Sequence, residues 1–471
     1  ETAVTLYVKK GGSGYEYAST WINESDSSTS LRIEAKLSGA TDEDVTVALS
    51  TSGTATEGTD YTDGSGNLDD ITISAGSTTG SINFIRSDDS VYEGDETATI
   101  AISSVSGGSA TESGSQSVTI TIRDNESAGS VTLTVSATSI AENAGTSLTI
   151  TATLSSTSDE DVTVALSTSG TATEATDYTD GSGNIDDITI SAGDTTGTVN
   201  FTPTDDSVYE GNETATIAIS SVSGGDASEN GDQSVTVTIT ENESAPTVTL
   251  SVSATSIAEN AGTSITVTAT LSGATDEAVT VALSTSGTAT EGTDYTDGSG
   301  DVDDITISAG ATTGTVNFTP TDDSIYEGNE TATLAISSVS GGSATESGSQ
   351  TKTITITDNE SAPTVTLATS ATSIAENAGT SLTLTATLSV ATTADVTVAL
   401  STSGTATEGT DYTDGSGSID DIVISAGSTT GTVSFTPTDD SIYDATSLSL
   451  IHISEPTRQA EISYAVFCLK K

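Results

Sequence analysis

Residues 279–308 read VTVALSTSGTATEGTDYTDGSGDVDDITIS. Val279, Val281 and Leu283 alternate with Thr280, Ala282 and Ser284, and Ile305 and Ile307 alternate with Thr306 and Ser308. A period of two with β-branched residues marks strands with one buried face, and the Gly, Asp, Thr and Ser between them mark a turn-rich connection. Working outward, the same alternation predicts strands at Val248–Val252, Ile265–Leu271, Thr315–Thr319, Thr331–Ser337 and Thr351–Thr357. With Val279–Ser284 and Ile305–Ser308 these make seven strands, A to G, and no helical period is sustained. Seven short strands in roughly 110 residues predict an all-β, immunoglobulin-like sandwich.

The unit is repeated. Asp294 of Gly-Thr-Asp-Tyr has counterparts at Asp60, Asp177 and Asp411, each step being 117 residues (177 to 294, for example). The pairs Asp88-Asp89, Asp205-Asp206, Asp322-Asp323 and Asp439-Asp440 keep the same step. A fixed period of this size means tandem copies of one domain. The expected divisions are 1–127 (with a divergent start), 128–244, 245–361 and a truncated copy at 362–443 lacking strands F and G. The four form a linear array of tandem seven-stranded sandwiches. The chain begins at Glu1 without Met, so the expectation is a fragment of a longer protein.

The repeat pattern fails after Tyr443, and LSLIHISEPTR, QAE and ISYAVFCLKK follow from Leu448. The outer pieces resemble a translated sequencing-library adapter around a short index, so 444–471 is read as a non-native tail. It holds the only His (His452) and the only Cys (Cys468). Without it there is no thiolate, no disulfide and no imidazole, which removes the usual nucleophiles, bases and transition-metal ligands. No nucleophile–base pair is visible, so the chain is read as a non-enzyme.

A formal charge of −58, from 68 acids against 10 bases, excludes a nucleic-acid partner held by phosphate contacts. No membrane-spanning run is visible. Phe84, Phe201, Phe318 and Phe435 read as core anchors in strand E, and Tyr92, Tyr209 and Tyr326 as hydrogen-bonded residues at the E–F corner. Pro203, Pro320 and Pro437 end strand E, and Trp21 reads as a packing residue.

In an antiparallel sandwich the A–B, C–D and E–F connections share one end with the exit from G. In the third copy that end carries Glu259, Glu291, Asp294, Asp297, Asp322, Asp323, Glu327, Glu330, Asp358 and Glu360, without a Lys or Arg among them. In the second it carries Glu142, Glu174, Asp177, Asp180, Asp205, Asp206, Glu210, Glu213, Glu241 and Glu243. So many carboxylates on one rim repel unless a hard divalent cation neutralises them, and Ca²⁺ accepts irregular oxygen shells more readily than Mg²⁺. The alternative is a generally acidic, salt-adapted surface.

Three motifs in order, Ser-Ile-Ala-Glu-Asn, Gly-Thr-Ala-Thr-Glu-Gly-Thr-Asp-Tyr and Asp-Asp-Ser-Ile-Tyr-Glu-Gly-Asn-Glu, resemble the Calx-beta domain. That resemblance implies a Ca²⁺-binding sandwich, as in sodium–calcium exchangers and large bacterial surface proteins. It implies as ligands Glu24, Asp60, Asp88, Asp89, Glu93 and Asp124 in the first copy. In the second it implies Glu142, Asp177, Asp205, Asp206, Glu210 and Glu241, and in the third Glu259, Asp294, Asp322, Asp323, Glu327 and Asp358. The fourth keeps Glu376, Asp411, Asp439 and Asp440. The expected function is a Ca²⁺-stiffened stalk of a secreted or cell-surface, adhesin-like protein, with any cell-surface or matrix ligand bound by regions outside these residues. The competing readings are a Ca²⁺-sensing module of a membrane protein and accessory repeats of a secreted enzyme.

Overall fold

The computed structural model describes residues 2–11, 16–17, 19–440, 448–453 and 464–470. The chain divides into two compact units, Glu1–Asp206 with Gly211–Asn242, and Ser207–Glu210 with Glu243–Lys471. Every regular element among the described residues is a strand.

In the third repeat the alternating segments fold where their period places them. Strands A (Thr247–Val252), B (Ile265–Leu271) and E (Thr313–Pro320) form one sheet, extended by Tyr295–Thr296 beyond E and Thr345–Glu346 beyond A. Strands C (Val279–Gly287), D (Ile305–Ile307), F (Glu330–Ser340) and G (Thr351–Thr357) form the other, in the order G-F-C-D. Val248, Leu250, Val267, Val281, Phe318, Leu334 and Ile354 point between the sheets and are buried, while the alternate Thr and Ser face outward.

One strand was not legible in the sequence. Ser256–Ala258 leaves the A sheet, crosses to the other sheet and lies parallel to G, with Ser256 opposite Thr355 and Ala258 opposite Thr357. The polar Ser253-Ala-Thr break ends strand A and allows the crossing. This short strand, A′, recurs at Ser19–Asn23, Ser139–Ala141 and Ser373–Ala375.

Each Phe of strand E is a core anchor, as expected, and the Tyr of Gly-Thr-Asp-Tyr stacks on it. Tyr295 and Phe318 have centroids 4.6 Å apart and are almost fully buried. The pairs Tyr61–Phe84, Tyr178–Phe201 and Tyr412–Phe435 repeat the contact. Offset aromatic pairs add specificity beyond the area they bury, and here they bind the C–D connection to strand E.

Two expectations need revision. Tyr92 does not close a corner within its own repeat: its hydroxyl donates to Asp226 Oδ2 of the next repeat at 3.1 Å. Trp21 is 45% exposed, with Lys10 Nζ and Arg123 Cζ lying 4.5 and 4.1 Å from its ring centroid. In the fourth repeat, where strands F and G are expected to be missing, Leu448–Ile453 pairs with Leu400–Gly404 and with Tyr464–Lys470, which lies parallel to Ser373–Ala375. Ladder pairing uses backbone groups alone, so an alternating segment fills those places, and the pairing is compatible with the adapter resemblance.

Gly287 closes strand C at a φ of +132°, and a Cβ there would stand 2.0 Å from the carbonyl oxygen of Thr331. Gly287→Ala is therefore expected to destabilise the third repeat by more than about 1 kcal/mol. Calorimetry would detect one transition moving to lower temperature while the others stay. An unshifted profile would contradict the steric argument.

Candidate metal centre

The rim acids separate into those that brace loops and those that face one another. Glu291 braces: its Oε2 accepts from Thr285 Oγ1 at 2.6 Å and its Oε1 from the Val302 N–H at 2.7 Å. Glu174 does the same with Thr168 and Ile185. Asp297 accepts from the N–H groups of Ser299 and Gly300, and those bonds, the backbone one of Ser299 foremost, hold its carboxyl below the ordinary range. These acids shape the C–D connection and have little left to offer a ligand.

A first group gathers where G ends. Because A′ runs parallel to G, Glu259 follows Ala258 to the same level as Asp358, and the Glu259 N–H donates to Thr357 O at 3.0 Å. Its side chain is 6% exposed and accepts from the Asp323 N–H at 2.9 Å. Glu259, Asp358 and Glu360 each place an oxygen within 4.8 Å of the others. Asp358 is tied to the E–F turn by the N–H groups of Glu327 (2.9 Å) and Gly328, and its other oxygen takes the Glu360 N–H at 2.7 Å. Burial opposes its charge, but those three amide donors outweigh burial and hold its pKa below the ordinary value.

Repeat 1 builds the same group from Glu24, Asp124 and Glu126. Glu24, 7% exposed, accepts from the Asp89 N–H at 3.3 Å, and burial foremost raises its pKa to about 7. Asp88 and Asp322 lie within electrostatic reach of Glu126 and Glu360 respectively. In repeat 2, Glu142 accepts from the Asp206 N–H at 3.2 Å and Glu241 from the Gly211 N–H at 2.9 Å. Asp205 precedes Asp206 in the E–F connection. In repeat 4, Glu376 accepts from the Asp440 N–H at 3.3 Å, with Asp439 just before it. The counterparts of the later ligands in that repeat fall outside the described residues.

A second group sits beside the C–D connection. Asp60, Glu93 and Glu96 place oxygens within 4.8 Å of one another. Glu93 is raised to about 7 and Glu96 to about 8, burial leading in both and Asp60 following. In repeat 3, burial and then Asp294 raise both Glu327 and Glu330 to about 7. Asp294 is aimed by its own turn, since the Thr290 N–H donates to its Oδ2 at 2.6 Å. Asp177 and Asp411 accept from Thr173 and Thr407 in the same way, and Glu210 follows the short strand Val208–Tyr209.

The resemblance-based ligand set thus comes together for most residues in repeats 1 and 3, but it omits four that the structure adds: Glu96, Glu126, Glu330 and Glu360. The signal was present in the repeated Glu-Thr-Ala-Thr that opens strand F and in the second acid of Asp-Asn-Glu after G. Repeat 1 also carries bases near its rim. Arg86, in the place of Pro203 and Pro320, donates to the backbone oxygens of Glu24 and Thr29, both at 3.2 Å.

Carboxylates are acceptors only, so two facing one another are satisfied by a proton or by a cation. The Oε2 atoms of Glu126 and Glu360 are closed to solvent and have no hydrogen-bond partner. Such orphaned oxygens in an all-carboxylate set fit a hard divalent cation such as Ca²⁺.

A Calx-beta domain model matches residues 10–126, 124–243, 241–360 and 358–466, and the chain belongs to the Calx-beta family, whose domains bind calcium. No curated protein matches it. Among solved structures, the two-domain fragment CBD12 of CALX1.2 is 19% identical, covers 50% of this chain and 100% of its own, and gives a TM-score of 0.22. Invasin, a bacterial integrin-binding protein, is 14% identical over 99% of this chain and 79% of its own, at a TM-score of 0.25. The adhesin InvE of Yersinia pseudotuberculosis is 14% identical over 51% of this chain and 59% of its own, at 0.24. Among the described residues no helix is long and apolar enough to cross a membrane.

Without divalent ions, the raised glutamates set a pH dependence. Below the ordinary value of 4.5 they are protonated in both folded and unfolded chains and contribute nothing. From about pH 4.5 up to about 7, or about 8 for Glu96, the unfolded chain has lost these protons while the folded state still holds them. Stability in EDTA should therefore fall across that window and then level off, as melting at stepped pH would show. A melting temperature that rises over the same interval would refute the assignment of these groups.

Proposed function

We propose that the chain is a calcium-binding tandem-repeat stalk of a secreted or cell-surface, adhesin-like bacterial protein, with Ca²⁺ rigidifying its domains and their junctions. The observation that carries this is the pair of orphaned carboxylate oxygens, on Glu126 and Glu360, at the rim where G leaves one repeat for the next. Glu24, Asp89, Asp124 and Glu126 would hold an ion in repeat 1, and Glu259, Asp323, Asp358 and Glu360 in repeat 3, with Asp60, Glu93 and Glu96 and their counterparts forming the second position. The ion supplies positive charge. The protein supplies oxygens already oriented by backbone N–H donors, so little ordering remains to be done on binding.

The linker from G to the next strand A is short: Asp358 and Glu360 precede Val365 by only a few residues. An ion held between the G exit and the E–F turn fixes the start of that linker. The reading rests on residues 1–443 alone. A sensor is the second reading, but near-identical repeats suit a spacer better, because graded sensing needs sites of different affinity. Among the described residues no arrangement of a nucleophile with a base favours an enzyme.

Melting the whole chain at fixed high NaCl, first in EDTA and then in millimolar Ca²⁺, tests the proposal. One ion at about 100 times its dissociation constant stabilises its domain by about 2.7 kcal/mol, which raises the melting temperature of a repeat this size by roughly 10 °C. Equal Mg²⁺ should give a much smaller rise. Glu360→Gln should act with opposite signs: it relieves repulsion and raises the melting temperature in EDTA, and it lowers the gain from Ca²⁺. No response beyond that to added salt would leave the acids as a solvated surface.

A further inference from the structure

Repeats 1 and 2 meet through the connection that carries the second acidic group. Val91–Tyr92, between Asp89 and Glu93, lies parallel to Thr157–Ser158 of repeat 2, with Val91 opposite Thr157 and Tyr92 opposite Ser158. Thr157 Oγ1 donates to Ser90 O at 3.0 Å and the Asp159 N–H to Tyr92 O at 3.3 Å. One further step in this register sets Asp159 of repeat 2 level with Glu93 of repeat 1. Partial desolvation and Glu160 push the Asp159 carboxyl up, and so do Asp124 and Asp60 from across the junction. Glu93 and Glu96 in turn feel Asp159. A two-residue ladder therefore closes against a carboxylate that faces four others.

The junction between repeats 3 and 4 has the same ladder without that charge. Ile325–Tyr326 lies parallel to Ala391–Thr392, and the next residue is Thr393. The acids on the near side, Glu327 and Glu330, correspond to Glu93 and Glu96; on the approaching side Thr157, Asp159 and Glu160 are replaced by Ala391, Thr393 and Ala394.

We propose that the junction of repeats 1 and 2 is an electrostatic gate, opened by Asp159 when the Asp60–Glu93–Glu96 group is bare and closed when a divalent cation neutralises that group, whereas the junction of repeats 3 and 4, with Thr393 in that place, stays closed in both conditions. This rests on reading the group as a cation site. It adds that rigidity is switched at one junction and built in at another.

Hydrogen exchange on the whole chain, at fixed ionic strength, reads both junctions at once. Adding millimolar Ca²⁺ to EDTA-treated protein should raise protection over 155–161 by at least about tenfold and leave 389–395 unchanged. Asp159→Thr, which installs the residue repeat 4 already tolerates, should give that protection in EDTA. Thr393→Asp should make 389–395 depend on Ca²⁺. If Ca²⁺ raises the melting temperature but Asp159→Thr leaves 155–161 unprotected in EDTA, the gate is overturned while the cation reading stands. If Ca²⁺ has no effect on melting yet Asp159→Thr still protects 155–161, the repulsion is upheld and the cation reading falls.

Discussion

The parallel pairing of A′ with G is the constraint on which the rest of the rim depends. It takes a residue that belongs to the first strand by sequence and sets it beside one that ends the last. Glu259 and Asp358 share a site only because Ala258 lies opposite Thr357. Once there, Glu259 is buried and bonded to the E–F turn through Asp323, and Asp358 is bonded to the same turn through Glu327 and Gly328. Three connections distant in sequence are thereby locked to one another by backbone N–H donors. The Tyr295–Phe318 stack fixes the fourth from the core side.

That locking explains why repulsion does not simply splay the loops. Some carboxylates are committed to amides, as Asp358 is through both oxygens and Glu259 through one, while others face their neighbours. The amide donors set position and lower the affinity for protons, as at Asp358; burial foremost, and then the charge of Asp60 or Asp294, raises it at Glu93 and Glu330. Placing oppositely tuned acids side by side in a fixed frame is how a fold prepares for a charge it does not itself provide.

The seven strands were legible because alternation of apolar and polar residues is the direct trace of a two-sided sheet, and B and G of the third repeat begin and end where the alternation does. A′ was not legible: Ser256-Ile-Ala258 offers two half-buried apolar side chains side by side, too little for any period. The acidic rim was legible from spacing, but the division of labour within it was not. Glu291 and Glu330 look alike in sequence, yet one is consumed by Thr285 and Val302 while the other faces Asp294. That difference depends on which amides a folded loop presents. Tyr92 and Asp159 were hidden for a related reason, since their roles are defined by a neighbouring repeat.

The three residues of A′ also bear on how the chain reaches its fold. Ser-Ile-Ala is identical at Ser139–Ala141, Ser256–Ala258 and Ser373–Ala375. Along the chain, each G strand lies closer to the A′ of the following repeat than to its own. During synthesis both are available to the same open edge, and a mispaired strand would exchange segments between neighbours, a characteristic hazard of tandem repeats. The correct partner has only one advantage of its own, because it has already been anchored by strands A and B before G emerges. Side chains identical in three repeats do not distinguish one A′ from another, so the pairing within a repeat is favoured by what is already anchored when G emerges.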